Sequence, residues 1–484
     1  MTGVYTNPDI LMQPVKLVCS KFEILNRDFM VIERIEGSVQ SGTIDVNAES
    51  DIRRTANIVM TVTDSTFEPN DISKLWMGRY IKIYIGLKDI VSDKIIYWNK
   101  GIYNFSTLNY TYNTTTNTVS VSCVDLMSEL NGMRNGFLDA QTVKIEAQKG
   151  TKISKVITDI LDNNTNFKKY IIEEIGSEYS AETSVYTGEY YTDLPYDIEI
   201  NGEATIYNIF KELCDIYPNW EMYFDEEGIF HVSHIPSKDS DPIFIEKEII
   251  NPLVVSENSS IDYTKIANVI SVWGKLLETD RYANSSTFSD GTFNITLEGL
   301  SSEGLLDGLM ISFKSCTDNN SKAYLTINTQ PPIPILTEDG NNPVFEKDKM
   351  YVLKYNKINN ILYYLGEPQV YGKYEVTNDD NPFSIQKIDR VAKNFSGGEF
   401  DNIYSSELAY QRAKWEAYKA TILQETVTLN SILIPWIDVN KKIEYTSKRN
   451  GATKIFLAKN INFDISQWTM NITMYEFYPF YEFD

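Results

Sequence analysis

The sequence predicts an α+β, mostly β protein, in which two related β-barrel domains flank a small α+β domain and one β module is inserted. Three observations support this fold class. Alternating strands fill 34–127, helical periodicity follows at 153–161 and 206–213, and the hairpin sequence of 109–126 recurs at 460–477. Alternation with period two indicates strands that bury one face, whereas apolar residues three and four apart indicate amphipathic helices. With 484 residues, the chain is long enough for about three domains.

The composition narrows the class of protein. The chain has 42% hydrophobic and 13% aromatic residues, which is enough for packed cores, and no apolar run approaches the roughly 20 residues that span a membrane. The first residues, MTGVYTNPDILMQPVK, lack a charged start followed by an apolar block, so we expect neither a signal peptide nor a membrane anchor. The four cysteines lack C-x-x-C spacing and are typical of reduced thiols in a protein made in a cytoplasm. They are Cys19, Cys123, Cys214 and Cys316.

The charge excludes one function and leaves two interpretations open. A formal net charge of −23 argues against a surface that binds duplex DNA, because such a surface needs clustered Lys and Arg. The acidic residues are spread along the chain and form no tail. They serve either solubility alone or a surface past which nucleic acid slides without adhering.

The first predicted domain, 1–130, is an N-terminal β-barrel. Its strands alternate in RIEGSVQSGTIDVNAES, RTANIVMTVTDST, GRYIKIYIGLKD, WNKGIYNFSTLNYTY and NTVSVSCVDLM, with Gly, Asn and Asp between them. Many short strands at this spacing favour a barrel or a sandwich.

The second predicted domain, 131–250, is small and α+β. Two helices each carry one apolar stripe, and we expect Pro218 to end the second helix. The stripes are Ile153, Val156, Ile157, Ile160 and Leu161, then Ile206, Ile209, Phe210 and Leu213. The stretch NWEMYFDEEGIFHVSHIP then predicts a hairpin with its turn at 225–228.

The remaining residues predict a second β-barrel domain that is interrupted by an insertion. The domain comprises 251–289 and 371–484, and YTKIANVISVWGK resumes the strand pattern at 263–275. A helix is predicted at 404–424, where Leu408, Trp415 and Ile422 repeat every seven residues beside Tyr418. Between these parts, 290–370 has its own strands and a bend at Pro331, Pro332 and Pro334, which predicts an inserted β module.

The repeated hairpin indicates that the two β-domains are related. Tyr110 and Tyr112 correspond to Ile461 and Phe463, and a second alternating strand follows each pair. The second strands are Val119, Val121 and Cys123 in one hairpin and Met470, Ile472 and Met474 in the other. Trp76 with YIKIYIG precedes the first hairpin as Trp436 with KKIEYTS precedes the second. The alternative is that two amphipathic hairpins look alike by coincidence.

No motif in the sequence predicts a catalytic, cofactor-binding or metal site, so we expect no cofactor and no enzymatic activity. His231 and His234 are three apart on a predicted strand, so they point to opposite faces and do not bind one metal jointly. Asp225, Glu226 and Glu227 fit a solvated hairpin turn better than a pair of catalytic carboxylates. Nothing near Cys123 or Cys214 indicates an activated thiolate.

The order of these parts resembles the trimeric hub proteins of phage tails and baseplates. The most specific stretch is IYNIFKELCDIYPNWEMYFDEEGIFHVSHIP, and IANVISVWGK, PFSIQKIDR, YQRAKWEAY and LIPWIDVNKKIEY follow in the family's order. The resemblance implies a homotrimer whose six related β-domains match a six-fold tail tube, reached through domain 1–130, to a three-fold central spike. It implies as partners the tail tube or distal tail protein, the spike or tail-tip protein, other baseplate proteins and a tape measure protein. DNA would pass through the channel, which we expect to be negatively lined, without specific binding.

The same resemblance implies a location in the virion tail, after synthesis in the bacterial host cytoplasm. Two departures from the family pattern matter: the first suggests an alternative role, and the second argues against a lysin role. Residues 290–370 replace a simple loop and are similar to β modules inserted in tail and fibre proteins, and the sequence stops at Asp484, where some relatives continue into a peptidoglycan-cutting domain. The alternative is a tail-associated cell-wall-degrading or carbohydrate-binding tip protein. Whether the tail contracts, and whether the particle is a phage or a bacteriocin, stays open.

Overall fold

The computed structural model forms two compact units, each described by itself below. The first unit comprises the described residues up to 266 and those of 425–476, and the second comprises the described residues of 267–421. The structure describes residues 8–36, 39–61, 74–112, 117–138, 146–179, 186–194, 198–199, 204–217, 220–236, 241–277, 279–298, 305–337, 339–397, 400–401, 403, 406–421 and 425–476.

Seven strands lie between 18 and 125, and two of them, at 54–61 and 117–125, bury every second residue along their whole length, as their alternation predicts. They are β1 (Val18–Leu25), β2 (Val31–Glu36), β3 (Val39–Asn47), β4 (Arg54–Thr61), β5 (Tyr80–Lys88), β6 (Ile95–Tyr112) and β7 (Asn117–Asp125).

A helical segment with short strands follows. It contains β8 (Glu146–Ala147), α1 (Ile153–Asn164), β9 (Tyr170–Ile172), β10 (Ser177–Tyr179), β11 (Tyr186–Tyr191), β12 (Ile198–Glu199), α2 (Ile206–Asp215), β13 (Trp220–Phe224) and β14 (Phe230–His234). Both predicted apolar stripes are buried, and the Thr205 hydroxyl accepts a hydrogen bond from Asn208 N to cap α2. Helix α2 ends at Asp215, whereas Pro218 lies outside the described residues.

The next elements pass from the first unit into the second and through the inserted module. They are α3 (Lys247–Ile250), β15 (Val254–Ile261), β16 (Val269–Leu276), β17 (Arg281–Ala283), β18 (Thr287–Ser289), β19 (Thr292–Ile295), β20 (Met310–Lys314), β21 (Ala323–Ile327), β22 (Ile333–Leu336), β23 (Met350–Asn356) and β24 (Ile361–Gly366).

The last elements complete the second unit and return to the first. They are β25 (Gln369–Glu375), α4 (Ile385–Ile388), β26 (Ala392–Phe395), α5 (Ser406–Ala420), β27 (Glu425–Ile432), β28 (Lys442–Thr446), β29 (Thr453–Asp464) and β30 (Thr469–Glu476). The fold is therefore mostly β with a few helices, as the sequence predicts.

One twelve-stranded sheet dominates the first unit and curls into a half-barrel. Its strand order is β15-β27-β30-β29-β3-β4-β7-β6-β5-β1-β2, with β28 paired to β29 beside this path. The strands from the two ends of the chain meet where β29 pairs with β3. Their buried faces share one hydrophobic core, in which Trp98 lies 6.3 Å from both Trp436 and Trp468, measured between ring centroids.

The sheet contains the same five-stranded arrangement twice. In the first repeat, β3 to β7 pair in the order β3-β4-β7-β6-β5, and in the second, β15 and β27 to β30 pair in the order β15-β27-β30-β29-β28. If the strands of each repeat are numbered along the chain, both orders are 1-2-5-4-3. The predicted relationship between the two hairpins is confirmed, because β6–β7 and β29–β30 occupy the same place in the two repeats.

The residue registers agree with the strand orders. A row here is a set of residues that lie directly opposite one another on successive strands. One row of the first repeat is Gly42, Ile58, Val121 and Leu108, and the equivalent row of the second repeat is Glu257, Leu429, Ile472 and Ile461. These rows correct the predicted match of the first hairpin strands by two residues, because Leu108 and Tyr110 lie at the positions of Ile461 and Phe463. Two β-bulges also recur at matching positions. One interrupts β3 at 39–41 and β15 at 254–256, and the other interrupts β6 at 105–107 and β29 at 458–460. Bulges are specific features of a strand, so their repetition excludes a coincidental likeness.

The second unit contains strands that the sequence assigned to the second β-domain. Strand β16 pairs with β25 and β26 in a sheet of three strands, and helix α5 packs on this sheet. The domain boundaries predicted from the sequence stay predictions. The strand pairing shows that β16 is not part of the twelve-stranded sheet, and α5 packs on the separate sheet that contains β16. Alternation alone does not say which sheet a strand joins, since pairing partners are set by tertiary contacts.

Helix α5 contacts its sheet through small residues, which corrects the predicted stripe. Ala409, Ala413 and Ala417 are fully buried, whereas Leu408 and Trp415 are only partly buried and Ile422 lies outside the described residues. A Cβ atom on Gly372 of β25 would lie 2.1 Å from the carbonyl carbon of Ala409. The helix therefore approaches the sheet too closely for large side chains at the contact.

The inserted module is an eight-stranded sheet with its own aromatic core. The strand order is β17-β20-β23-β24-β22-β21-β19-β18, so its strands begin at Arg281, before the predicted start of the insertion at 290. Phe293, Phe313 and Phe345 pack in its centre. The two ends of the module are adjacent, because Leu276 opposes Gln369 and Leu277 N donates to Pro368 O at 2.7 Å.

Replacing 279–366 with a short Gly-Ser linker should leave the rest of the protein folded, because the chain leaves and returns between hydrogen-bonded neighbours. We expect a soluble protein whose thermal unfolding midpoint changes by only a few degrees, measured by circular dichroism. Replacing 285–372 is the matched control. It removes the first four residues of β25 and should unfold the sheet that contains β16. Insolubility of the first variant would show that the module supports the core of the second unit.

Candidate functional surface

A buried ion cluster joins three parts of the first unit. Arg54, at the start of β4, has a side chain that is 1% exposed. Its guanidinium donates to Asp438 Oδ2 at 2.6 Å, to Glu226 Oε1 at 3.4 Å and to the carbonyl of Phe224. These partners belong to the segment before β28 and to the β13–β14 hairpin. One arginine thus connects the first repeat, the second repeat and the α+β segment.

Two neighbouring cations extend the cluster. Arg53 forms an ion pair with Glu221, and its guanidinium lies 3.9 Å from the ring centre of Tyr223. Lys100 on β6 is buried and donates to Pro435 O at 3.1 Å and to Ile437 O at 3.4 Å. Lys100 therefore uses backbone carbonyls of the second repeat in place of a carboxylate partner.

The cluster shifts the pKa values of its acids in opposite directions. Burial raises the pKa of Asp125 to about 6, although this carboxylate accepts hydrogen bonds from Arg54 N at 2.9 Å and Met127 N at 3.0 Å. Burial also acts to raise the pKa of Asp438, but the charges of Arg54, Arg53 and Lys100 outweigh it and lower that pKa below its usual range. Desolvation lowers the pKa of Lys100.

The acidic hairpin turn is docked onto the sheet, which corrects the expectation of a solvated turn. Asp225 Oδ1 accepts from Glu227 N and Ile229 N at 2.9 Å, as its position in a turn requires. Glu227 accepts from Lys82 at 2.6 Å and from Asn99 at 2.9 Å, and Glu226 contacts Arg54. The three carboxylates have structural partners, and the arrangement offers no obvious pair of catalytic acids.

The remaining candidate residues have structural contacts. His231 lies 3.0 Å from Asp225 Oδ2 and stacks on Tyr223, whereas His234 contacts the edge of Trp220. Burial raises the pKa of the Cys214 thiol to about 12 and that of Cys123 further still. Within the described residues, no group of three His, Cys, Asp or Glu side chains is placed to hold a metal ion. No described helix is long and apolar enough to span a membrane.

One face of the central sheet is covered by hydroxyl and amide side chains. Eight strands, from β15 to β6 along the sheet, turn their alternate residues to this polar face. The polar residues are Ser256, Asn258 and Ser260; Thr426, Thr428 and Asn430; Thr469, Asn471 and Thr473; Asn460, Asn462 and Asp464; Thr43, Asp45 and Asn47; Thr55, Asn57 and Thr61; Thr118, Ser120 and Ser122; and Thr107, Asn109 and Thr111. Val59, Val124, Ile432 and Tyr475 lie on the same face between them.

Hydrogen bonds between strands order the polar face. Ser122 donates to Asn57 at 2.7 Å, and Asn430 donates to Asn471 at 2.9 Å. Of the residues named on the face, only Asp45 and Asp464 carry a charge. The face is therefore hydrophilic and close to neutral over eight strands. Sequence reasoning followed the apolar half of each strand and missed the polar half, although the same alternation carries both.

Two unpaired strand edges of the sheet, in addition to the edge at β2, correspond to the two sides of the repeat junction. At the junction, 460–464 of β29 pair with 43–47 of β3. The matching segment of the first repeat, 107–111 in β6, pairs with β7 on one side, and no described strand pairs with its other side. Strand β15, which matches β3, pairs only with β27 among the described strands. An unpaired strand edge presents backbone N–H and C=O groups that a further strand can satisfy.

Comparisons with known proteins add a family match and a set of similar structures. Residues 380–481 match a family described as a domain of unknown function, DUF5048. No curated protein matches the chain. Among solved structures, the 43 kDa tail protein of prophage MuSo2 from Shewanella oneidensis is 11% identical with a TM-score of 0.49, covering 94% of this chain and 98% of its own.

Two further similar structures are also described as tail proteins. The tail protein from Neisseria meningitidis MC58 is 9% identical with a TM-score of 0.49, covering 94% of this chain and 96% of its own. The prophage tail protein gp18 from Listeria monocytogenes EGD-e is 8% identical with a TM-score of 0.44, covering 94% of both chains. All three structures are described as tail proteins.

Replacing Asp125 with Asn should change how stability depends on pH. Because the native pKa of Asp125 is raised to about 6, its carboxyl holds a proton in the folded protein that the unfolded chain releases, and the contribution of Asp125 to stability is lost as the pH rises from 4 to 6. Relative to Asp125→Asn, we expect a loss on the order of 2 kcal/mol in unfolding free energy over this range. Urea unfolding at pH 4.5, 5.5 and 7 measures it.

Asp438→Asn is the matched variant of opposite sign. The native pKa of Asp438 is lowered, so its contribution is present at neutral pH and is lost as the pH falls below the usual aspartate range. Equal slopes for the two variants would contradict the assigned roles of burial and of Arg54.

Proposed function

We propose that this protein is the structural hub of a phage, or phage-derived, tail tip or baseplate, and that it works as a homotrimer. The observation that carries the proposal is the duplicated sheet with its two open edges. Pairing β6 of one chain with β15 of the next would repeat between chains the junction that β29 and β3 form within one chain. Three chains would close such a ring with six related repeats.

This ring would reconcile two symmetries. A six-fold tail tube contacts six similar repeats, whereas a three-fold spike contacts three identical chains. The proposed partners are accordingly the tail tube or distal tail protein, a central spike or tail-tip protein, other baseplate proteins and a tape measure protein. The proposed location is the virion tail.

The polar face would line the channel of the ring. Hydroxyl and amide groups keep water in a channel, and they neither attract DNA phosphates as Lys and Arg do nor repel them as dense carboxylates do. The only charges among the named residues of the face are those of Asp45 and Asp464, so the proposed channel lining is mostly uncharged and weakly negative. DNA would pass without specific binding, and the protein would have no catalytic role.

Ile261→Lys should prevent assembly without unfolding the chain. Ile261 is 42% exposed on β15, so the single chain tolerates a lysine there, whereas ring closure would bury this position against Leu108 of the next chain. We expect the wild type to form trimers that strengthen with salt, as screening weakens the repulsion between acidic chains. Mass photometry from 50 mM to 500 mM NaCl should find Ile261→Lys as a monomer at every salt concentration.

Val255→Lys is the matched control on the same strand. Val255 is 68% exposed and lies outside the segment that would pair, so this variant should assemble as the wild type does. A wild type that stays monomeric at high salt and high concentration would overturn the hub. Release of soluble fragments from purified cell walls would favour the alternative tail-associated enzyme.

A further inference from the structure

The two repeats within one chain specify a residue-by-residue register for a contact between chains. At the repeat junction, Ile461 opposes Val46 and Phe463 opposes Ile44. The row equivalence places Leu108 at the position of Ile461 and Tyr110 at that of Phe463. It likewise places Ile261 and Ser259 at the positions of Val46 and Ile44.

We propose that Leu108, Tyr110 and Tyr112 of one chain oppose Ile261, Ser259 and Glu257 of the next chain in an antiparallel strand pair. This deepens the proposed function and rests on it. On the polar face, the same register sets Asn109 opposite Ser260 and Thr111 opposite Asn258. The pair is head-to-tail, so it leads round a closed ring and does not form a two-fold dimer.

The chemistry of the two junctions differs in a way that fits their roles. The junction within the chain is apolar, and Ile461, Phe463, Ile44 and Val46 are at most 1% exposed. The proposed contact between chains has Ser259 and Glu257 where β3 has Ile44 and Gly42. Opposite them, tyrosines combine an aromatic ring with a hydroxyl. A permanent junction is thus apolar, and one that forms during assembly is mixed.

Glu257 on β15 and Glu425 on the neighbouring strand β27 already have partners within the chain. Glu257 accepts hydrogen bonds from Tyr445 Oη at 2.9 Å, Ser447 Oγ at 2.7 Å and Lys448 N at 2.8 Å. Glu425, in the neighbouring strand, accepts from Lys454 at 2.9 Å and Arg449 at 3.1 Å. These contacts keep the open edge hydrophilic in a single chain, which protects it from indiscriminate strand pairing.

The aromatic side chain at position 112 has a counterpart at the repeat junction. Ile465 follows β29, its N–H donates to Gly42 O at 2.9 Å, and its side chain would lie 3.1 Å from a Cβ on Gly42. Tyr112 matches Ile465 in the row equivalence and is 80% exposed in the single chain. In the proposed register, its ring covers Glu257 as Ile465 covers Gly42.

Cysteine pairs on the polar face test the register directly. Residues directly opposite in an antiparallel pair have Cα atoms about 4.5 to 5.5 Å apart, within the range of a disulfide, whereas diagonal residues lie about 7 to 8 Å apart, beyond it. In a chain with Cys19→Ser and Cys316→Ser, the double variants Asn109→Cys with Ser260→Cys and Thr111→Cys with Asn258→Cys should each give covalent trimers on a non-reducing gel. Asn109→Cys with Asn258→Cys is the mismatched control and should not.

The outcomes separate the register from the hub itself. If the wild type is trimeric by mass and only the mismatched pair forms disulfides, the register is wrong and the trimer stands. If the wild type forms no trimer, the proposed function fails as well.

A charge variant tests the side-chain part of the proposal. Tyr112→Asp places a carboxylate opposite Glu257 in three contacts, so the concentration for half-maximal trimer should rise by about ten-fold or more. Tyr112→Phe should stay within about three-fold of the wild type, because the ring remains. Thr111→Asp is the control on the opposite face, where it meets Asn258. Equal weakening by Tyr112→Asp and Thr111→Asp would overturn the assigned facing of Tyr112.

Discussion

The pairing of β29 with β3 is the constraint on which the first unit depends. It joins strands from opposite ends of the chain, and without it the two repeats would be separate sheets with separate cores. Strand β29 meets β3 in a shifted register. Ile461 opposes Val46, whereas Gly42 is the β3 residue in the row equivalent to that of Ile461. A shift of this kind tilts the strands and curls a sheet. The same pairing leaves β6 and β15 each with an unpaired edge. These two edges differ, so a contact between copies of the unit through them would run head-to-tail.

The buried ion cluster fixes how the α+β segment meets this sheet. Arg54, Arg53 and Lys100 place three cations in the interior of a chain with a formal charge of −23. Burying charges costs free energy, and such groups are often no more stabilising than apolar residues of the same shape. Their directional hydrogen bonds to Phe224, Asp438 and Pro435 allow one arrangement of the three parts, so their value here lies in orientation.

The loops of the two repeats explain where the chain accepts additional structure. In the first repeat, six residues, 48–53, connect β3 to β4. In the second repeat, the equivalent connection between β15 and β27 contains the whole of 267–421. The inserted module is a further insertion within that unit, between the paired strands β16 and β25. Each insertion begins and ends at neighbouring strands, so neither disturbs the pairing that defines its host sheet.

The sequence by itself determined the strands, the two amphipathic helices and the repeat, because these follow from local periodicity. Val121 and Ile472 were recognisable as counterparts before any pairing was known, whereas the match of Tyr110 with Ile461 was wrong by two residues. Only the tertiary structure decided which sheet each strand joins, and it placed β16 in a three-stranded sheet separate from the twelve-stranded one. It also decided that α5 packs on this sheet through Ala413 and not through Trp415. It also placed Glu226 and Glu227 against Arg54 and Lys82, since contacts between residues far apart in the chain leave no periodic signal. The residues of the polar face alternate with the core residues along each strand, but the face is continuous over eight strands only because of the order of those strands in the sheet.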